Sequence, residues 1–271
     1  MGDPENLPST SIRYLSTTEA YDRWAAVYDT DGNFLQALDT IELKTLFPQF
    51  LRLLKSPEPW RIVDLGCGTG RNTALLLTVP DIEEVIALDS SRGMLEVARS
   101  RLNEANDRIS IPSREPAGET PKLHLQVFDM IMSPSPPKSA QQADGVVSTL
   151  VAEHVPLPTF FSQVSQILRP GGLLLLTNMH AHMGGISQAG FVDAETGEKI
   201  RPISYAHTVA DVVAEARRWG LEVMEMGDGY ETGIKEIRVN ETMVEKLGPR
   251  SRKWVGVTCW FGGLFSKSEN Q

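Results

Sequence analysis

Arg61-Ile-Val-Asp-Leu-Gly-Cys-Gly-Thr-Gly70 runs a short apolar strand straight into three glycines spaced two apart. Glycine adopts dihedrals that other residues resist and carries no Cβ, so Gly66, Gly68 and Gly70 form a turn that a ligand can approach at the level of the main chain. Asp64 places one carboxylate just before that turn. A dinucleotide fingerprint needs G-x-G-x-x-G, and counting from Gly66 its last glycine position is held by Arg71. A P-loop is excluded as well, because no Gly-Lys-Ser/Thr follows.

Outward from this turn, apolar strands alternate with helices. The pattern predicts strands at Ile62 to Leu65, Val85 to Leu88, Leu123 to Val127, Gly145 to Thr149 and Leu173 to Thr177. Helices are predicted from Arg71, over Ser91 to Leu102 and over Pro158 to Leu168. Continuous apolar strands separated by helices imply a parallel sheet buried on both faces. Upstream, Ser16 and Glu19 have the spacing of a capping box, and Tyr21, Trp24, Ala25 and Tyr28 recur at intervals of three and four along one helical face. A second helical pattern, Phe34 to Leu54, ends before Pro57-Glu-Pro59. Downstream, Thr208 and Asp211 open a capped helix that stops at Gly220, and Leu221 to Met226 and Val255 to Phe265 read as strands. Residues 106–121 and the Pro/Ser-rich 132–142 read as surface loops, with the helix expected near the second shortened or absent.

The 271 residues are 41% hydrophobic and 23% charged, enough for a substantial core and one α/β domain. A net charge of −9 without a dense Lys/Arg stripe argues against nucleic acid as a partner. Cys67 and Cys259, the two cysteines, offer neither a disulfide framework nor a metal-ligand spacing and suit a reducing, cytoplasmic setting. The longest apolar run, around Leu173 to Leu176, is far short of a membrane span.

Val63-Asp-Leu-Gly-Cys-Gly-Thr-Gly70, Leu88-Asp-Ser-Ser-Arg-Gly-Met-Leu95 and Leu168-Arg-Pro-Gly-Gly172 together resemble the class I S-adenosylmethionine-dependent methyltransferases, particularly the small-molecule branch that includes the ubiquinone and menaquinone biosynthesis type. The resemblance covers roughly residues 15–180. It implies an α/β, Rossmann-like doubly wound sheet of about seven strands, mostly parallel with an antiparallel last strand, an N-terminal helical lid, and S-adenosyl-L-methionine as cofactor. The expected division is a flexible arm over 1–15, the lid over 16–56, the cofactor-binding core over 57–180 and a substrate-side cap insertion over 181–207. The C-terminal part of the same sheet follows over 208–266, and a tail over 267–271.

Ligands of open parallel sheets bind beyond the carboxyl ends of the strands, so Asp64, Asp89, Asp129 and Thr149 are expected along one crevice. The resemblance assigns the ribose diol to Asp89, beside Ser90, and the adenine to Phe128, Asp129 and Met130, with Met94 against the ring. Gly66, Cys67, Gly68, Ser148 and Thr149 complete the expected cofactor set, although the Cys67 side chain by itself reads as filling a small buried space. Arg71 and Asn72 open the next helix, where exposed amides suit the cofactor's carboxylate, and a solvated helix start is the equal alternative for both. Tyr21 and Tyr28 fit two descriptions equally, a packed helix face and the lid that the resemblance implies.

Methyl transfer from a sulfonium is an in-line displacement whose reactive group belongs to the cofactor, so the protein chiefly positions the partners and excludes water. A hydroxyl acceptor must also lose its proton, and histidine is the commonest group to take it. His154, His180 and His207 follow strands or precede a helix at the expected rim, and each also has the plain reading of a satisfied polar residue. His124, inside a strand, reads as structural. No metal is expected, since no acidic cluster accompanies His180, His182 and His207. The expected activity is transfer of a methyl group to oxygen, or nitrogen, of a small biosynthetic metabolite in secondary metabolism, with no nucleic acid and no membrane span, the oligomeric state being left open. A methyltransferase-fold protein that binds the cofactor without transfer, as a regulatory partner or cyclisation catalyst, and a protein or RNA methyltransferase are the alternatives.

Overall fold

The computed structural model describes residues 12–54, 57–109, 122–193, 195–225 and 233–269. Its elements begin with β1 (Ile12–Leu15), α1 (Thr17–Trp24), α2 (Phe34–Leu53), β2 (Trp60–Leu65), α3 (Arg71–Leu76), β3 (Ile82–Asp89) and α4 (Arg92–Ile109). There follow β4 (Lys122–Val127), β5 (Ala143–Thr149), α5 (Leu157–Ile167), β6 (Leu168–Met179), α6 (Ala181–Ile186), β7 (Phe191–Val192) and β8 (Lys199–Pro202). The chain closes with α7 (Val209–Arg218), β9 (Leu221–Val223), β10 (Ile234–Arg238), α8 (Val244–Leu247) and β11 (Thr258–Lys267).

One sheet carries the fold, in the order β10-β11-β6-β5-β2-β3-β4, with β9 also paired to β11. Strands β2 to β6 run parallel, and β11 is antiparallel to β6 through the register Trp260↔Met179 to Ser266↔Leu173. The strands are apolar along their length because both faces are covered. Val63, Val146 and Leu174 pack with Phe160, Phe161 and Val164 of α5 and Val212 of α7. Their chain neighbours Ile62, Val147 and Leu175 point the other way, against Leu43, Leu46, Phe47 and Phe50 of α2. Alternation along each strand thus converts a continuous apolar run into two cores.

Helix α1 starts as its capping spacing predicts, with the Ser16 hydroxyl accepting from the Glu19 amide at 3.3 Å. It is held against the start of α4 by Asp22, whose Oδ1 accepts from the Ser91 hydroxyl at 2.6 Å and the Gly93 amide at 3.0 Å. Trp24 stacks on Phe191 of β7 with ring centroids 5.1 Å apart.

Several elements depart from the sequence expectation. The sheet holds eight strands rather than about seven, because β10 forms an edge whose Lys235, Glu236 and Arg238 mask a strand pattern. Residues 12–15, expected in a flexible arm, pair in parallel with β8, which itself pairs with β7, in a separate three-stranded sheet. That pairing joins the chain's start to the segment expected as a cap, a non-local contact with no local signature. Residues 106–109 continue α4, while 110–121 and Met226 lie outside the described residues. Between Met132 and Gln142 the structure has a single 3-10 turn, Lys138–Ala140.

Asp39, fully buried on α2, ties the layers together. Its Oδ1 accepts from the Thr177 hydroxyl at 2.5 Å and the Trp260 indole N–H at 3.0 Å, and its Oδ2 accepts from Arg71 at 2.5 Å. One carboxylate therefore joins α2 to β6, β11 and the start of α3. Asp39→Ala is expected to lower stability by about 3 kcal/mol, the low end for breaking a buried pair because Arg71 stays partly solvated. Asp39→Asn, which keeps an acceptor for Thr177 and Trp260, is expected to cost less. Urea unfolding reads both, and an Ala variant as stable as the parent would contradict this role.

Candidate active site

The turn after β2 is pinned to the end of β3. The amides of Gly66 and Cys67 donate to the Leu88 carbonyl at 2.8 and 3.0 Å, and the Gly68 amide donates to Asp89 Oδ2 at 2.8 Å. Gly66 has φ +76°, and a Cβ there would lie 2.3 Å from Val151 Cγ2, so no other residue fits. Gly68, at φ +54°, is different, since a Cβ there would meet no protein atom within 4 Å. Its glycine is required by the dihedral and leaves main chain bare beside open space.

That space is a cavity of about 540 Å³, well within the usual range for a small-molecule site. Of the residues expected to hold a cofactor, Tyr21, Tyr28, Gly66, Gly68, Asp89, Ser90, Met94, Phe128, Asp129, Met130 and Thr149 line it. Asp64, Cys67, Asn72 and Ser148 do not, and each is held elsewhere for a visible reason. Asp64 is buried beneath the turn, where its Oδ2 accepts from the Thr73 hydroxyl at 2.6 Å. Asn72 donates to Thr149 Oγ1 at 2.8 Å, and Arg71 is drawn to Asp39. The Ser148 hydroxyl donates to the Leu65 carbonyl at 2.9 Å, and Cys67 packs with Ala87 and Leu95.

Both cavity-lining carboxylates retain acceptor capacity. Asp89 Oδ1 takes the Ser91 amide at 2.8 Å, leaving each oxygen with one donor. Burial pushes the Asp89 carboxyl up to about 6 against the pull of these N–H groups, and burial does the same to Asp64. Asp129 Oδ1 accepts from the Ile131 and Met132 amides at 2.8 and 3.2 Å, while among the described residues its Oδ2 has only the Thr18 hydroxyl at 3.4 Å. An apolar slot beside two underused carboxylates fits a nucleoside carrying a diol and an exocyclic amine.

Of the three candidate histidines only His154 lines this cavity. Its Nδ1 lies 2.8 Å from the Ile203 carbonyl, which can only accept, so Nδ1 carries the hydrogen. Burial pushes its pKa down to about 4, and the neutral ring's Nε2 accepts from the Tyr21 hydroxyl at 2.8 Å. Burial raises the Tyr21 phenol well above its usual value, so both partners stay neutral. His180 turns away instead, its Nδ1 capping α6 through the His182 amide and its Nε2 2.8 Å from Glu236 Oε2. His207 donates from Nε2 to the Val155 carbonyl at 3.0 Å and stacks on Tyr205. His124 lies 3.1 Å from Glu84 in its strand.

Sequence reasoning passed over Thr18, Leu150, Ile203 and Tyr205, which also line the cavity. Ile203 and Tyr205 lie just past β8, and the Tyr205 amide bonding to the Glu153 carbonyl at 2.6 Å, with the His154 ring on the Ile203 carbonyl, brings that segment over the strand ends. Leu150 occupies a left-handed φ of +57°, uncommon for a leucine and found where surroundings over-determine the backbone. Glu153, 3% exposed, has an Oε2 with no hydrogen-bond partner.

A mostly parallel sheet flanked by an antiparallel strand, with a glycine turn and acidic strand ends around one cavity, defines the Rossmann-like class whose members transfer methyl groups from S-adenosylmethionine. A family profile described as a methyltransferase domain matches residues 63–176. An uncharacterized methyltransferase of Emericella nidulans is 47% identical over 278 residues, spanning 96% of this chain and 94% of that one. A trans-aconitate 2-methyltransferase of Methylobacterium radiotolerans is 29% identical over 59% of this chain and 60% of its own length. A solved S-adenosylmethionine dependent methyltransferase from Mesorhizobium loti shares the fold, with a TM-score of 0.54 over 82% of this chain and 97% of that chain at 20% identity. The chain belongs to the S-adenosylmethionine-dependent methyltransferases, and S-adenosylmethionine is its cofactor. Among the described residues no helix is long and apolar enough to cross a membrane.

Burial pushes the Glu153 carboxyl up to about 8 from 4.5. Between these values the unfolded chain releases a proton that the folded chain keeps, so this group's contribution to stability falls as pH rises through the window. The stability of Glu153→Gln relative to the parent is therefore expected to rise steadily with pH from about 4.5 to about 8. Urea midpoints across that range measure it, and a difference independent of pH would contradict the buried, protonated state.

Proposed function

We propose that the protein transfers the methyl group of S-adenosylmethionine to an oxygen of a small organic acceptor, with α1 and the segment over 181–207 closing the site. The observation that carries this reading is that Tyr21 and Tyr28 from the start of the chain and Ile203 and Tyr205 from beyond β8 cover the same cavity, with His154 bridging Tyr21 to Ile203. A compact molecule fits beneath such a roof, and the net charge of −9 disfavours nucleic acid. The relative named trans-aconitate 2-methyltransferase supports a small acceptor by its name.

When bound, the cofactor supplies an electrophilic methyl group on a sulfonium centre. Asp89 is assigned the ribose diol, with Ser90 beside it, and Asp129 the adenine amine, with Phe128, Met130 and Met94 against the ring. Gly66 and Gly68 offer bare main chain, and Tyr28 and Thr149 complete the wall. His154 has both ring nitrogens engaged, so its role is to position the Tyr21 hydroxyl toward the acceptor side while holding α1 shut. Exclusion of water follows from that closure.

Calorimetry with S-adenosylhomocysteine tests the cofactor assignment. Asp89→Ala is expected to weaken binding by about 1.5–3 kcal/mol, the scale of a charge-assisted hydrogen bond. Unchanged affinity would remove Asp89 from the ribose. Tyr21→Phe and His154→Ala are expected to keep that affinity within a few-fold and to slow transfer by about 10²-fold. The double variant is expected to be no slower than either single one, because the pair acts as a unit. Additive losses, or full activity in both, would contradict the pairing, and release of S-adenosylhomocysteine on incubation with hydroxylated and acidic metabolites reads the turnover.

A further inference from the structure

A second cavity, of about 110 Å³, adjoins the first at Tyr21, Tyr28 and Leu150, which line both. The left-handed Leu150 therefore stands at the junction of the two spaces. Three buried polar atoms on residues lining the second cavity find no hydrogen-bond partner among the described residues: Glu153 Oε2, Gln188 Oε1 and Trp254 Nε1. Buried polar groups are almost always paired, so three on residues around one void are an unusual concentration of unmet hydrogen-bonding capacity. Basic groups outnumber acidic ones in the lining, and one of them, Arg250, also donates to the Asp31 main-chain carbonyl. Lys199, Arg250 and Lys253 line the cavity, and no ion pair joins any of them to a carboxylate among the described residues. Asp31 is the one other acidic group in the lining, and its two carboxylate oxygens already accept from the Trp24 indole and the Asn33 amide at 2.9 Å. Lys253 Nζ sits 5.2 Å from the centre of the Trp254 ring, beside the unpartnered indole N–H. Burial raises the pKa of Glu153, so this carboxyl offers a hydrogen to a guest in place of a repelling charge.

Resting on the reading of the larger cavity as the cofactor site, we propose that the second cavity takes a carboxylate of the methyl acceptor, held by Lys253, Arg250 and the Trp254 indole N–H. The space admits about four water-sized groups, enough for a carboxylate and the carbons next to it. The acceptor then enters with its charge anchored behind the tyrosines and its reacting atom at the Leu150 junction. An anchored anion also gives the enzyme a means of choosing acids over their neutral analogues, since only the former gain charge-assisted hydrogen bonds from Lys253 and Arg250.

The test uses the full chain saturated with S-adenosylhomocysteine and ligand-observed NMR with two matched pairs, fumarate against fumaramide and benzoate against benzamide. At least one acid is expected to bind at least tenfold more tightly than its amide. The reversals Lys253→Glu and Arg250→Glu are each expected to weaken that acid at least tenfold while leaving S-adenosylhomocysteine affinity within twofold. Both side chains are exposed, so folding is retained, and a charge-keeping Lys253→Arg is expected to preserve acid binding. Equal binding of acids and amides, acid binding unmoved by either reversal, or no acid binding at millimolar concentration would overturn the proposal. Loss of S-adenosylhomocysteine binding in the parent protein would instead overturn the cofactor reading beneath it.

Discussion

Three main-chain amides hold the functional end of this protein together. Gly66 and Cys67 donate to the last turn of strand β3 at Leu88, and Gly68 donates to the Asp89 side chain. Because β2 and β3 are neighbours in a parallel sheet, these bonds carry the chain across the carboxyl ends of both strands, two of them main chain to main chain and the third through the Asp89 carboxylate. Val151 then packs so close to Gly66 that a methyl group could not stand there. The turn is thus rigid on its protein side and bare on the other, which is the condition for a nucleoside to be recognised through backbone and two carboxylates.

Burial governs the electrostatics of the site. Asp64, Asp89 and Glu153 are all pushed upward by it and His154 downward, so the interior favours the neutral form of each group. A sulfonium cation entering such a pocket finds aromatic rings from Tyr21 and Tyr28 and carboxylates whose ionisation it would itself favour. The same neutrality restrains the Tyr21–His154 pair, whose hydrogen bond serves to fasten α1 over the strand ends. Asp22, Trp24 and the β1–β8 pairing add further fastenings, so closure is distributed among polar, stacking and main-chain contacts.

Much of the sheet could be read from the sequence because its signals are local. Apolar runs such as Leu173 to Leu176, the glycine turn and the cap pairs Ser16/Glu19 and Thr208/Asp211 each lie within a few residues of one another. Of the expected cofactor residues, those at or just past strand ends reached the cavity, with Tyr21 on α1, Tyr28 beyond it and Met94 on α4. Asp64, Asn72 and Ser148 did not, because each found a closer polar partner in Thr73, Thr149 and Leu65, and spacing alone cannot tell a ligand from such a partner. Long-range pairings were hidden for the same reason. Nothing in Ile12 to Leu15 announces Lys199 to Pro202, and nothing in Ile203 or Tyr205 announces the strand end they cover.

The measurement that bears most directly on the central claim is hydrogen–deuterium exchange of the full chain with and without S-adenosylhomocysteine. Slower exchange is expected in four places, the turn over 66–70, the end of β3 with residues 90 and 91, 128–132, and α1. Protection absent from the glycine turn, or confined to parts of the chain away from the strand ends, would contradict the account.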